Sequence, residues 1–486
     1  MNVIFYFLPL AYKNASFHTT NESSARFATP SLEHLQLKFF RENSSFSTYT
    51  SISRNLRPTS QKRLRVGGFL TDPCFALDVD SPLRWTSEEG ELRVNGHPFH
   101  LKGINWFGFE TPSFYPHGLW GATSLNRVFN FLRDNSFNVI RLPFSAEMAL
   151  NDGQVVTVPG EPVLDKLTNM ERLAKFVDVA AEYNLLVMLD MHRLNASGGI
   201  DELWYNNDFP YTRVLAAWAK IMESLERKWN FFAIDVKNEP HGAATWGAGN
   251  PSTDWNQAAQ SIIKELFKRF PQWHGLAFVE GVNNPTVKSR ILDPNERWWG
   301  GSLEGVWDAP IDLGCSEWTR RVVYSPHVYG PDVYDQLYFR SGYNAADKQH
   351  FWSEDISRNL SRIWDAHFGF AEKVHDRQAV VVGEWGGRYG DGPTKLRDRA
   401  WGDTFGGYLL GSCLSDNFYW SLNPNSGDTG GILEDDWSTP VQPKLDLLKR
   451  IQPHPSLLYL SETDRVICFS RGQYANPTCQ KIQETP

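Results

Sequence analysis

Phe231-Phe232-Ala233-Ile234-Asp235-Val236-Lys237-Asn238-Glu239-Pro240 is the stretch whose reading decides the fold. Its first half is short, apolar and stopped by a proline, which makes it a buried strand rather than a helix. Its second half sets an amide and a carboxyl side by side where that strand ends. In parallel α/β folds the chemistry sits at such C-terminal strand ends. Ala379-Val380-Val381-Val382-Gly383-Glu384-Trp385-Gly386 repeats the pattern, so two buried strands each end in a glutamate.

Strand-like and helix-like segments alternate outward from these two. Strand patterns cover Leu101–Trp106, Asn138–Phe144, Leu185–His192, Phe231–Glu239, Leu276–Gly281, Val322–Tyr329, Ala379–Trp385 and Asn417–Leu422. Helical patterns cover Leu125–Asn135, Lys166–Tyr183, Val214–Lys228, Trp255–Phe270, Glu354–His367, Leu396–Leu410 and Val441–Ile451. Only the link from the fifth strand to the sixth lacks a helix; Trp298-Trp299-Gly300-Gly301 lies in that long loop. This alternation predicts a (β/α)8 barrel, a TIM barrel with enlarged βα loops. A hairpin with an Asn95-Gly96 turn, over Leu92–Leu101, precedes it. An open doubly wound sheet is the runner-up, but no G-x-G-x-x-G follows the first strand to carry a dinucleotide.

The ends of the chain read differently. Residues 1–12 are an apolar block of signal-peptide core length, without basic residues ahead of it. Residues 13–80 are rich in Ser, Thr and Asn with more Arg and Lys than Asp and Glu, so residues 1–80 are expected to be a disordered leader. The same bias resembles an organelle transit peptide; secretion and organelle targeting both stay open. Asn14, Asn21, Asn43, Asn195 and Asn359 stand in N-x-[ST] contexts, which matter if the chain is secreted. The barrel is expected over 81–453, followed by a tail, 454–486. Net charge is −8, which gives nucleic-acid binding no electrostatic support. No apolar run reaches the length of a membrane-spanning helix. Among the five cysteines, Cys468 and Cys479 are close enough in the tail to pair, which would favour an oxidising compartment. The 19 tryptophans suggest surfaces that stack sugar rings.

Polar groups gather at the strand ends: Arg141, Asp190-Met191-His192, Asn238-Glu239, His327-Val328-Tyr329, Glu384 and Trp420. Each alone has an ordinary structural explanation; together at one end of a barrel they point to a site. Two carboxyls suit acetal cleavage, which needs an acid for the leaving oxygen and an anion facing the oxocarbenium ion. A neighbouring carboxylate and an arginine can hold the two in opposite protonation states. Glu110 after the first strand suits a loop role as well as substrate contact. Glu280 reads as a structural ion pair. Asp428 and Glu434-Asp435-Asp436 lack EF-hand spacing, so neither metal nor cofactor is expected.

Asn238-Glu239-Pro240, Gly383-Glu384-Trp385-Gly386, Arg141-Leu142-Pro143, His327-Val328-Tyr329 and Trp420 together resemble glycoside hydrolase family 5, the retaining cellulase family. Gly103–Thr111 and Asn423–Leu433 resemble its bacterial-type endoglucanase branch, and the likeness spans roughly residues 85–450. The resemblance implies that Glu239 is the general acid/base and Glu384 the nucleophile. It implies that Arg141 steadies Glu384, that Asn238 holds the sugar 2-hydroxyl, that His192, His327 and Tyr329 complete the polar shell, and that Trp420 stacks beneath the sugar. The phenylalanine often found after the nucleophile is Trp385 here. The expected function is retaining cleavage of internal β-1,4 bonds of a glucan polysaccharide or oligosaccharide, by a secreted monomer. Mannan or another β-glucan is the alternative substrate, and a non-catalytic sugar-binding protein the alternative class.

Overall fold

The computed structural model describes residues 74–76, 82–283, 296–339, 354–371, 378–392, 395–461 and 466–479. The chain divides into Met1–Gly68 and a compact unit, Phe69–Pro486. The apolar block at 1–12 and the acceptor contexts at Asn14, Asn21 and Asn43 lie outside the described residues.

In chain order, β1 is Cys74–Ala76, β2 Trp85–Glu88, β3 Glu91–Val94 and β4 His97–Pro98. The barrel strands are β5 (Lys102–Asn105), β6 (Val139–Ser145), β7 (Leu186–Arg193), β8 (Phe231–Asp235), β9 (Leu276–Val279), β10 (Val322–Tyr324), β11 (His327–Tyr329), β12 (Val382–Gly386) and β13 (Asn417–Tyr419). β14 (Leu457–Leu460) and β15 (Val466–Ser470) follow. The parallel sheet runs β10-β9-β8-β7-β6-β5-β13-β12-β11. Its two end strands are separated in sequence only by Ser325-Pro326, so they are one strand of the ring. Pro326 has no N–H for a ladder. Below it, Tyr324 N–H donates to Ala379 O at 3.0 Å and Val381 N–H to Tyr324 O at 2.9 Å; above it, Gly383 N–H donates to Pro326 O at 3.0 Å. The sheet thereby closes into the expected (β/α)8 barrel.

The predicted helices form with small shifts at their ends: α1 Leu125–Asp134, α3 Asn169–Glu182, α4 Tyr211–Leu225, α5 Trp255–Arg269, α7 Glu354–Trp364, α8 Leu396–Gly411 and α9 Gln442–Ile451, with the short α2 (Ala146–Leu150) and α6 (Ser316–Thr319) added. Thr168 and Glu171 form a reciprocal cap that starts α3. α4 begins three residues before its apolar pattern because Pro210 stands at its N-cap. The described part of the link between β9 and β10 holds only a 3-10 turn, Glu304–Trp307, and α6.

Side chains alternate across each strand, and this alternation produces two cores. One face of the barrel strands, with Ile140, Val187, Leu189, Ala277 and Val322, packs among the helices. The other face fills the barrel interior with Val139, Leu186, Met188, Leu276, Phe278 and Val323. The β2-β3-β4 hairpin sheet covers the lower mouth: Trp85 packs on Phe232 at 5.2 Å and Leu92, Val94 and Phe99 join the interior cluster. Its turn is the predicted one, with Asn95 at φ 49° and Gly96 at φ 82°. Two residues beyond Val139, Met188 and Phe278 stand Arg141, Asp190 and Glu280, and four beyond Val323 stands His327, all fully buried. The apolar floor and the polar mouth are successive layers of one pleat.

The two ends of the described chain are tied together. The leader reading over 1–80 includes β1, which pairs antiparallel with β15. Within the tail, β14 and β15 pair, and Leu458, Ile467 and Phe469 pack into the interior cluster. Cys468 and Cys479 do not bond to each other: the disulfides are Cys74–Cys468 and Cys413–Cys479. β15 carries Cys468 opposite Cys74, whereas Cys479 lies at the C-terminal end of α8, its sulfur near Leu410 O.

Candidate active site

Register sets the level of each polar group. Asn105 lies opposite Arg141, Asp190 opposite Asp235, and His327 opposite Glu384. Arg141 is the hub. Its Nε donates to Asp235 Oδ2 at 3.0 Å, and Nη1 donates to Asn105 Oδ1 at 3.0 Å and to Glu384 Oε1. Nη2 reaches Asn238 Oδ1 at 3.0 Å, Glu280 Oε1 at 3.3 Å and Asp190 Oδ2 at 3.2 Å. Only a planar fork of five donors can serve so many acceptors, so lysine is no substitute here.

The two glutamates meet across His327. Its Nδ1 lies 3.1 Å from Glu239 Oε1 and 3.5 Å from Glu384 Oε2. One ligand-capable atom each from Glu239, His327 and Glu384 falls within a mutual 4.8 Å. Tyr329 Oη donates to Glu384 Oε2 at 2.7 Å. His192 Nδ1 is 2.6 Å from Asp190 Oδ2 and 4.0 Å from Glu384 Oε1. Asn238 is anchored through its N–H to Met191 O at 3.1 Å, while its buried Nδ2 has no protein acceptor.

Electrostatics follow from burial and crowding. Desolvation pushes Asp190 and Asp235 up to about 7 and Glu280 well above the usual carboxylate range. Burial opposes charge on His327, yet Glu280 and Glu384 outweigh it and hold the imidazole well above its ordinary value. Burial would raise Glu239 too; the hydrogen bond and charge of His327 win and hold it low. Burial drives His192 down to about 3, so that ring is neutral. Desolvation and then Glu384 push the Tyr329 phenol up, which keeps its proton in place to donate.

Aromatic rings line the mouth. Trp420 stacks within 11° of both Phe107 and His192, at 5.4 and 5.5 Å, and its Nε1 donates to Ser426 Oγ at 3.1 Å. Two exposed indoles stand in loops that follow the first and fifth barrel strands, which face each other across the ring. Trp120 is 42 % exposed and meets Trp437 edge-on at 5.5 Å. Trp299 is 47 % exposed and lies flat on His241 at 3.6 Å.

All the side chains singled out from sequence, namely Arg141, His192, Asn238, Glu239, His327, Tyr329, Glu384 and Trp420, therefore stand together at the C-terminal mouth. Asn105 and Asp235 belong to the same network and were not singled out, and Asp190, noted at its strand end, was given no role. The available signal was a charge inside an apolar run, as in Ile234-Asp235-Val236. Glu280 is an ion-pair partner as expected, and it also accepts the Glu239 N–H at 2.7 Å. Glu110 serves its loop, accepting the Gly108 N–H at 2.6 Å. Asp436 is occupied by Ser438 and Thr439 of its own turn. Asp190-His192-Glu384 and Asp235-Glu280-His327 also have metal-like spacing. The Arg141 guanidinium already fills the cation's place among Asp190, Asp235, Glu280 and Glu384.

Residues 92–426 match the family description Cellulase (glycosyl hydrolase family 5). The chain is 34 % identical over 385 residues to the major extracellular endoglucanase of Xanthomonas campestris pv. campestris, covering 78 % of this chain and 72 % of that one. It is 36 % identical over 359 residues to an endoglucanase of Paenibacillus polymyxa, covering 74 % and 84 %. A solved cellotetraose complex of the endocellulase from Pyrococcus horikoshii superposes with a TM-score of 0.67 at 36 % identity, over 76 % of this chain and 98 % of that one.

Proposed function

The chain belongs to glycoside hydrolase family 5 and is a glycoside hydrolase, and from that premise we propose that it cleaves internal β-1,4 bonds of a β-glucan with retention, using Glu239 as general acid/base and Glu384 as nucleophile. The observation that carries the reading is the approach of the two carboxyls, which share His327 as a neighbour and hold oxygens within 4.8 Å of each other. Retaining enzymes separate their carboxyl groups by about 5 Å, whereas inverting ones leave room for a water.

In the first step Glu384 attacks the anomeric carbon while Glu239 passes a proton to the leaving oxygen. The glycosidic C–O bond breaks and a glycosyl-enzyme bond forms. In the second step water attacks that carbon, its proton goes to the Glu239 carboxylate, and the bond to Glu384 breaks. Arg141 and Tyr329 hold Glu384 from two sides, which orients its oxygens and balances its charge. A general acid needs a proton at the outset, and His327 beside it holds the Glu239 carboxyl low. The proton belongs to the Glu239–His327 pair across their 3.1 Å contact rather than to either side chain alone. A leaving oxygen arriving beside Glu239 draws it out of that pair.

Two features favour a long substrate bound mid-chain. Trp120 and Trp299 offer exposed indole faces in loops after opposite barrel strands, and Trp420 stacks on His192, which neighbours Glu384. The unpartnered Nδ2 of Asn238 is a buried donor that a ring hydroxyl would satisfy. Both disulfides suit an oxidising compartment, and we infer secretion. The test is product analysis on carboxymethyl-cellulose, mannan and laminarin, with the anomeric configuration of fresh product read by NMR. Short β-configured oligosaccharides from carboxymethyl-cellulose are expected. Preference for mannan or laminarin would overturn the substrate; initial α-products would overturn the mechanism.

A further inference from the structure

Glu239 is the one site residue with a left-handed backbone, at φ 46°. A residue with a side chain rarely rests there, and the following Pro240 pushes it towards extended backbone instead. Something must hold it. Its N–H donates to Glu280 Oε2 at 2.7 Å, and its carbonyl lies 2.7 Å from His241 Nδ1, whose ring is pressed beneath Trp299. Glu280 is itself fixed: Oε1 lies 3.3 Å from Arg141 Nη2 and 3.2 Å from His327 Nε2. Gly300, at φ 64°, backs this arrangement. A Cβ there would come within 2.8 Å of Glu280 Oε2, 3.2 Å of Glu239 Cγ and 3.3 Å of His327 Cγ.

We propose that Glu280 is a positioning residue for the general acid, holding the Glu239 main chain in its left-handed turn and the His327 ring beside it, so that the Glu239 carboxyl faces the leaving oxygen. Glu280 is fully buried, so it acts through Glu239 rather than on a sugar directly. The proposal rests on the reading of Glu239 as acid/base. A simple counter-ion for Arg141 predicts something else: its loss would disturb Glu384 and slow every substrate alike.

Leaving groups separate the two. Glu280→Gln keeps the volume but has one acceptor oxygen, so either the Glu239 N–H or the Arg141–His327 side loses its partner. Gly300→Ala presses on the same place without altering a charge. Both, with Glu239→Ala as reference, are assayed on a cellooligosaccharide and on a dinitrophenyl cellobioside, whose leaving group needs no acid. We expect kcat/KM on the oligosaccharide to fall about 100-fold, kcat/KM on the dinitrophenyl substrate, which reports formation of the glycosyl-enzyme alone, to fall less than about 3-fold, and azide to raise kcat on that substrate. Equal losses of kcat/KM on both substrates, or near-normal kcat/KM on the oligosaccharide in a variant with native circular dichroism, overturn the proposal. Should Glu280→Gln fail to fold, Gly300→Ala decides between the same two outcomes. If Glu239→Ala itself shows no dependence on the leaving group, the acid assignment is what fails, and the positioning role falls with it.

Discussion

Glu384 is gripped by Arg141 on one oxygen and Tyr329 on the other. Glu384→Gln should reduce kcat by roughly 1,000-fold or more. The fold should survive, since Arg141 retains Asp190, Asp235 and Glu280; near-normal turnover in a folded variant would remove Glu384 from the mechanism. Tyr329→Phe deletes a 2.7 Å hydrogen bond to a carboxylate, so kcat should drop about 10- to 100-fold, as measured on cellooligosaccharides. Asn238-Glu239 and Glu384 were legible because each closes an apolar strand and several polar groups recur at that same end of the barrel. Asp235 was hidden for a physical reason. An aspartate within a strand means nothing until one knows that Arg141, 94 residues before Asp235, projects into the same layer.

The alternation of strands and helices was readable because each unit obeys its own period, 2 for the strands and 3.6 for the helices. The division of the sixth ring strand at Pro326 was not, since an apolar run on either side hides a change of partner. Elements also support the site through their loops. Asp398, in the first turn of α8, accepts the Asp332 N–H at 3.1 Å and the Arg388 N–H at 2.7 Å, joining the loops after β11 and β12. Cβ atoms on Gly330 and Gly387 would stand 2.6 and 2.3 Å from its oxygens, so both positions need glycine for this approach. Burial pushes Asp398 up to about 6 from 3.8. The folded protein therefore binds this proton more tightly than the unfolded chain, and between those pH values stability contributed by the group rises as pH falls. Its slope is at most about 1.4 kcal/mol per pH unit. Asp398→Asn removes the titration, so its melting-temperature deficit against the parent should widen from pH 7 to pH 4.5. A deficit that narrows on acidification would contradict this account of the loops.

For the molecule as a whole, the sequence revealed a barrel but not what fastens it. Pairing Cys468 with Cys479 rested on closeness along the chain, which β15 defeats by carrying Cys468 beside the distant β1. Cys413→Ser opens a link between residues 66 apart and should cost roughly 2–4 kcal/mol, read from denaturant midpoints with and without reductant. An unchanged midpoint would mean that the α8 end holds the terminal segment without it. The other bond spans 394 residues, from Cys74 before the first barrel strand to Cys468 after α9. Covalently the catalytic body is thus a necklace with its clasp shut: severing one peptide bond anywhere along that circuit yields no free fragment. Enzyme clipped once by a protease should migrate as one band without reductant, fall into two with it, and go on cutting polysaccharide in the meantime.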